Sequence, residues 1–256
     1  ELTGDPRYFD TDGATILNTH APLTVQAKLA ASATLPDNMR RDLALAAWTR
    51  AVLLGREEIA LPTAEILARA FPQYAGDWQR YRDASSAPER KFAAAMLLLR
   101  FPAAGPWVDD GLGYTYKRDV IGSYASRWWS SESLKSDSEQ AAIYFTGRCL
   151  DSCPVPGWLG PPAFVSDTDR RAAADEFARI KQQAPSAADY LGDIVLDWAK
   201  AHAADARVPE ALHLVVRLTQ YGDAGSSGIS RRTYNLLHAS YPKRPWTKQT
   251  PFWYGK

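Results

Sequence analysis

The sequence contains few of the residues that catalytic and metal sites need. It has two cysteines and four histidines in 256 residues. No two histidines have the H-E-x-x-H or i, i+4 spacing of a zinc site, and no G-x-S-x-G motif provides a nucleophilic serine. We therefore predict that the chain binds no metal or cofactor and is not an enzyme.

The chain also lacks a charge excess of one sign and a long hydrophobic run. Its formal net charge is +1, from 30 Lys and Arg against 29 Asp and Glu. This balance argues against nucleic acid, because phosphate binding normally needs a basic patch. The longest nearly uncharged apolar run, Phe92 to Leu99, is much shorter than the about 20 residues of a membrane helix. We expect no membrane span.

The two cysteines are Cys149 and Cys153, in the sequence RCLDSCPVPGW. Their spacing is not the C-x-x-C of redox or zinc sites, and Pro154 disfavours a helix through both. Two alternatives follow. The pair forms a small disulfide loop if the Cα atoms come within about 7 Å, or it remains two inert thiols. A disulfide implies an oxidising compartment.

What the sequence does contain is helical periodicity, in 22–102 and again in 166–242. The best example is the run Leu191, Ile194, Val195 and Trp198, whose i, i+3, i+4, i+7 spacing places all four on one buried helix face. We therefore predict that Trp198 is core. Ser166 and Ser186 are predicted to begin helices as N-caps.

Three stretches lack this period: an irregular arm over 1–21, an aromatic-rich connector over 103–165 and an aromatic tail over 243–256. The fold prediction is an all-α protein of irregular antiparallel helical hairpins, α-solenoid-like and related to tetratricopeptide-repeat (TPR) folds, with a long irregular central segment. Two helices end alike, in ARAFP and LLRFP, 30 residues apart, which is near a helical-hairpin repeat period.

The aromatic residues are the candidate binding residues, since the chain has nine Trp and twelve Tyr. Trp and Tyr are typical of protein-contact hot spots. The tail is predicted to dock onto the chain's own helices or onto a partner, with its lysines and Arg244 available to an acidic surface. The candidates in the connector and the tail are Tyr114, Tyr116, Trp128, Trp129, Trp246, Phe252, Trp253 and Tyr254.

Polar groups offer two weaker alternatives. Asp109 and Asp110 lie beside aromatics in PWVDDGLGY, as the paired acids of a carbohydrate-active protein would, although Asp before Gly is also ordinary turn chemistry. This is the alternative function: a carbohydrate-binding or carbohydrate-active helical protein. His213 and His238 lie on neighbouring predicted helices and could meet there; we interpret them as packing histidines.

Two segments resemble a known group of proteins. The pair DYLGDIVLDWAKAHAADARVPEALHLVVRLTQYG and RRTYNLLHASYPKRPWTKQTPFWY resembles the C-terminal part of long bacterial envelope proteins related to TPR proteins, and LPDNMRRDLALAAWTRAVLLG resembles an upstream part. The residues that carry the resemblance are Trp198, Pro209, Glu210, Ala211, Leu212, His213, Tyr241, Pro242, Trp246 and Trp253.

This resemblance implies α-solenoid-like packing, a periplasmic or extracellular setting and no enzyme activity; a cytoplasmic location stays open. Because the sequence begins at Glu1, we expect that a leader or an upstream part has been removed. The predicted function is a non-catalytic protein–protein interaction or scaffolding module with a protein partner, as a subunit or fragment of a larger bacterial envelope assembly.

Overall fold

A computed structural model describes residues 8–101, 104–108, 163–221 and 228–255. Every regular element in these ranges is helical, which confirms the all-α prediction. Eight of the candidate binding, catalytic and disulfide residues named above lie outside the described ranges: Asp109, Asp110, Tyr114, Tyr116, Trp128, Trp129, Cys149 and Cys153.

The helices, numbered in order among the described residues, are α1 Thr11–Thr19, α2 Leu23–Ala30, α3 Asp37–Leu53, α4 Glu57–Ala70, α5 Ala75–Asp83, α6 Ala87–Arg100, α7 Asp167–Gln183, α8 Ala187–Ala201, α9 Val208–Tyr221, α10 Ile229–Ser240 and α11 Pro245–Lys248, with a 3-10 turn at Pro72–Tyr74. They form two compact units. Among the described residues the first holds 8–75, 104–108 and 163–183, and the second holds 76–101, 184–221 and 228–255.

In the first unit, α3 is the central helix and packs against α2, α4 and α7. It begins after Pro36 and ends at Leu53. Gly55 follows two residues later, and its φ of +67° suits a residue without a Cβ. Only three residues separate α3 from α4, so the two helices pack as an antiparallel hairpin. This agrees with the predicted hairpin architecture.

The predicted irregular arm over 1–21 is wrong for Thr11–Thr19, which form α1. Asp10 caps this helix by accepting the Gly13 N–H at 2.7 Å. Its buried residue Asn18 makes two hydrogen bonds to one residue of the segment 104–108. The side chain donates to the Val108 carbonyl at 2.9 Å and accepts the Val108 N–H at 2.8 Å. Such nonlocal hydrogen bonds cannot be read from the hydrophobic pattern of the N-terminal sequence, so this helix was not predicted.

A buried charge extends this network. Arg50, 6% exposed, donates to the Pro106 carbonyl at 2.6 Å and to the Asn18 carbonyl at 2.9 Å. Burial lowers the pKa of Arg50 to about 10, while the nearby Glu176 carboxylate opposes that shift. Arg50 therefore stays charged at neutral pH. Glu176, itself buried, accepts the Leu23 N–H at 2.7 Å.

The Asn18 contact yields a stability prediction. Asn18→Ala leaves the buried N–H and C=O of Val108 without their partner, which should lower the free energy of unfolding by about 2–4 kcal/mol. The control is Lys28→Ala on the exposed side of α2, which should change it by less than about 0.5 kcal/mol. Chemical denaturation measures both. Equal stabilities for the two variants would contradict the role given to Asn18.

In the second unit, α6 is almost fully enclosed: Phe92 to Leu99 are all buried, as expected for a helix that is apolar nearly all round. It packs against α8 and α9, and α9 packs against α10. An ion-pair cluster joins its last residue to two other helices. Arg100 binds both carboxylate oxygens of Glu210 on α9, at 2.7 and 2.6 Å, and Asp77 on α5 at 2.5 Å.

The units group the helices differently from the predicted ranges 22–102 and 166–242. Helices α5 and α6 belong with α8–α11, and α7 belongs with α1–α4. The physical reason is that α6 has apolar residues on every face and is buried only when several helices surround it. Sequence order does not determine which helices those are.

Gly192 sets how closely α8 approaches its neighbours. A Cβ at this position would lie 2.3 Å from Cγ1 and 2.6 Å from Cδ1 of Ile229 on α10. Gly192→Ala should therefore lower the free energy of unfolding by about 1–3 kcal/mol, although alanine favours an isolated helix by about 1 kcal/mol.

A double-mutant cycle checks this cause. Ile229→Ala removes both clashing atoms, so Gly192→Ala combined with Ile229→Ala should be more stable than the sum of the two single losses predicts. Strict additivity in thermal or chemical unfolding would show that the two residues do not limit each other.

Candidate protein-binding surface

The tail after Lys248 lies against α10 in the opposite direction. Side chains of α10 bind successive backbone groups of the tail. His238 binds the Thr250 carbonyl at 2.8 Å, Tyr234 donates to the Pro251 carbonyl at 3.4 Å, and Ser230 accepts the Tyr254 N–H at 3.0 Å. The tail is therefore antiparallel to α10. Of the two alternatives predicted for the tail, docking onto the chain's own helices is the one that these bonds show.

Thr250 is the anchor of the tail and is 2% exposed. Its hydroxyl donates to the Trp246 carbonyl at 2.8 Å and lies 2.7 Å from Nδ1 of His213 on α9. A hydroxyl has one hydrogen, so His213 must donate from Nδ1. The Thr250 carbonyl can only accept, so His238 must donate from Nε2. The two histidines thus fix Thr250 from two helices.

His213 and His238 were expected to meet as packing residues, and the structure joins them through Thr250. His213 is buried, 8% exposed, and also packs against the Trp246 ring, with ring centroids 5.2 Å apart. Burial, followed by the positive charge of Arg217, lowers the pKa of His213 to about 4, and Glu210 opposes the shift. The imidazole is therefore neutral at physiological pH.

Beyond this anchor the tail holds two large apolar side chains at the surface. Phe252 is 54% exposed and Trp253 is 41% exposed. The Trp253 ring is tilted against Tyr234, with centroids 5.0 Å apart, and the Arg231 guanidinium lies over it at 5.6 Å. Phe252 makes an edge contact with Tyr254 at 5.3 Å. Each ring therefore packs against a neighbouring aromatic side chain and still keeps much of its surface exposed to solvent.

Cations accompany these rings. Arg231, Lys243, Arg244 and Lys248 are exposed, and none of the four has an ion-pair partner among the described residues. The stretch 224–256 contains no Asp or Glu at all. We call these exposed cations and rings, together with the half-buried Tyr234, the C-terminal surface; its members are Arg231, Tyr234, Phe252, Trp253, Lys243, Arg244 and Lys248.

The four predicted tail residues divide into two roles. Phe252 and Trp253 belong to the C-terminal surface, whereas Trp246 and Tyr254 are half-buried and help to hold the tail. Neither Arg231 nor Tyr234 was among the candidate binding residues predicted from the sequence. Their i, i+3 spacing on one helix, with His238 four residues further on, was the available signal.

The prediction that Trp198 is buried core is wrong, because its side chain is half-buried. Trp198 occupies the last turn of α8, beside the turn of the chain toward α9. Its ring stacks on Phe92 and on His202, with centroids 4.9 and 3.6 Å apart, and its indole N–H donates to Asp205 at 3.0 Å.

The Asp205 carboxylate is charged and has a structural role. Burial alone would raise its pKa, but hydrogen bonds from Arg207 and Trp198 outweigh burial and hold the pKa at about 2. Arg207 in turn lies over the Phe92 ring at 4.9 Å. The Trp198 indole and the Arg207 guanidinium both bind the Asp205 carboxylate, so the cluster stabilises the α8–α9 turn.

Within the described ranges, no group of three or more His, Cys, Asp or Glu could hold a metal ion. No helix in the described part of the chain is long and apolar enough to cross a membrane. Comparison with protein-family models, with curated proteins and with solved structures finds no match for this chain. The arrangement of its own residues therefore carries the functional argument.

The His213 contact predicts a pH dependence. In the unfolded chain a histidine binds a proton near pH 6.5, whereas folded His213 does so near pH 4. Its stabilising contribution is complete above about pH 6.5 and declines as the pH falls toward 4, with roughly 1–2 kcal/mol lost between pH 7 and 5.

His213→Asn should remove this loss, because the asparagine amide nitrogen replaces the Nδ1 donor without titrating. Denaturation curves at pH 7 and pH 5 measure the difference, with the exposed His202 changed to Asn as the control. A decline of equal size in wild type and His213→Asn would contradict the contribution given to His213.

Proposed function

We propose that this chain is a non-catalytic protein–protein interaction module, and that the C-terminal surface is its contact site. The observation that carries the proposal is that Phe252 and Trp253 stay exposed, at 54% and 41%, although the tail that bears them is fixed to α9 and α10. Two adjacent exposed rings with a polar rim are typical of an interaction site, whereas a single exposed ring is ordinary. Trp and Arg side chains are the residue types most enriched at binding hot spots.

The fixed position of the rings supports this proposal. Tail ordering costs conformational entropy, and here the chain's own hydrogen bonds to Thr250, Pro251 and Tyr254 offset that cost before any partner binds. Preorganised contact residues improve affinity for this reason. A scaffolding role needs only such a surface and no catalytic group.

The carbohydrate alternative has less support at this surface. A sugar ring stacks on an open aromatic face, but Arg231 lies over Trp253 and Tyr234 tilts against it. A carbohydrate-active site also needs a pair of carboxyl groups, and the stretch 224–256 has none. Asp109 and Asp110, the acids considered for that role, lie outside the described residues.

The resemblance to bacterial envelope proteins extends the proposal to the setting. We place the module in the periplasm or outside the cell, as a part of a larger envelope assembly. TPR-like packing remains part of this proposal: the helical hairpins are compatible with it, and the regular repeat consensus is not needed for the contact described above.

Affinity purification from the native source tests the function. Phe252→Ser changes the most exposed ring of the tail and should alter stability by less than about 1 kcal/mol. The matched control is Phe164→Ser, which changes another exposed phenylalanine, 81% exposed, in the first unit. We expect one or more proteins to be retained by wild type and Phe164→Ser and lost with Phe252→Ser. Identical retention by all three chains would refute the proposed contact site.

A further inference from the structure

The charges of this chain are segregated along its sequence. Six of the 30 Lys and Arg residues, and none of the 29 Asp and Glu residues, lie in 224–256. This stretch therefore has a formal charge of +6, and the preceding 223 residues have −5. The near-neutral total of +1 conceals a strongly basic C-terminal region.

The basic groups lie at both ends of α10. Arg231 is in its first turn, beside Trp253, whereas Lys243 and Arg244 follow its last residue. Nearby, Arg232 is compensated by Asp193 at 3.0 Å. The twelve residues of α10 span about 18 Å, a length that an extended polypeptide covers with about five or six residues.

From this arrangement we infer that the C-terminal surface binds an extended, acidic segment of a partner protein, which lies beside the tail along α10. The inference rests on the proposed function and specifies its partner. An apolar side chain of the segment packs against Phe252 and the exposed edge of Trp253. Its carboxylates meet Arg231 at one end and Lys243, Arg244 and Lys248 at the other.

The geometry favours an acidic polypeptide over a nucleic acid or an anionic membrane surface. A nucleic-acid base stacks on an open ring face, and Arg231 and Tyr234 restrict the faces of Trp253. A bilayer gains little from this surface, because Phe252 is the only tail ring more than half exposed, so little apolar surface can insert. Carboxylates spaced along a chain match cations at the two ends of a helix, and opposite charges also speed association.

The test is a selection from a random linear peptide library displayed on phage, performed on the full chain. We expect enrichment of peptides that combine Asp or Glu with an apolar residue. Synthetic copies of the enriched peptides should bind about tenfold more weakly to the triple variant Lys243→Glu, Arg244→Glu, Lys248→Glu. The matched control, Lys28→Glu with Arg171→Glu and Arg179→Glu, changes three exposed cations of the first unit and should alter binding less than about twofold.

The outcomes separate this inference from the proposed function. Peptides that lose binding to Phe252→Ser but are not acidic, or that bind the two triple variants equally, overturn the acidic partner and leave the contact site standing. Peptides whose affinity is unchanged by Phe252→Ser overturn both the acidic partner and the proposed contact site. Vesicles of three parts phosphatidylcholine to one part phosphatidylglycerol, and a single-stranded DNA oligonucleotide, are measured in parallel. Binding of either one in a Phe252-dependent manner, without acidic peptides, overturns the inference in favour of that class.

Discussion

The C-terminal surface depends on how Thr250 is held. Its hydroxyl and carbonyl are bound by His213 and His238 from two helices, and its hydroxyl also closes the short turn from Trp246. An unpaired buried hydroxyl or carbonyl is costly, so these bonds favour one position of the tail. Because that position is fixed, the next residues emerge with Phe252 and Trp253 outward.

The first unit contains the same kind of interaction, in which helix side chains bind the backbone of a non-helical segment. There, Asn18 and Arg50 bind backbone groups of Val108 and Pro106 in a segment that is not helical. In both units, helix side chains satisfy the polar backbone of a non-helical segment, which would otherwise be unpaired when buried. The difference lies in what each segment presents: Pro106 and Val108 are buried, whereas the tail carries exposed rings.

Local features were predictable from the sequence and nonlocal ones were not. Ser166 and Ser186 begin helices as expected, because a cap acts on its own first turn. Helix α1 was missed, since the buried hydrogen bonds of its Asn18 reach Val108, 90 residues away. Periodicity gave the face of Trp198 but not its exposure at a helix end. In the tail, aromatic content indicated docking, yet no motif marks Thr250 as the anchor.

Two histidines of defined tautomer hold Thr250. Long-range ¹H–¹⁵N NMR spectra resolve the imidazole nitrogens, and the chain has only four histidines, so each signal can be assigned with single substitutions. We predict a neutral His213 with its proton at Nδ1 at pH 6, a His238 with a proton at Nε2, and loss of the His213 pattern in Thr250→Val. A His213 that averages between tautomers, titrates near pH 6.5 and ignores Thr250→Val would contradict this prediction.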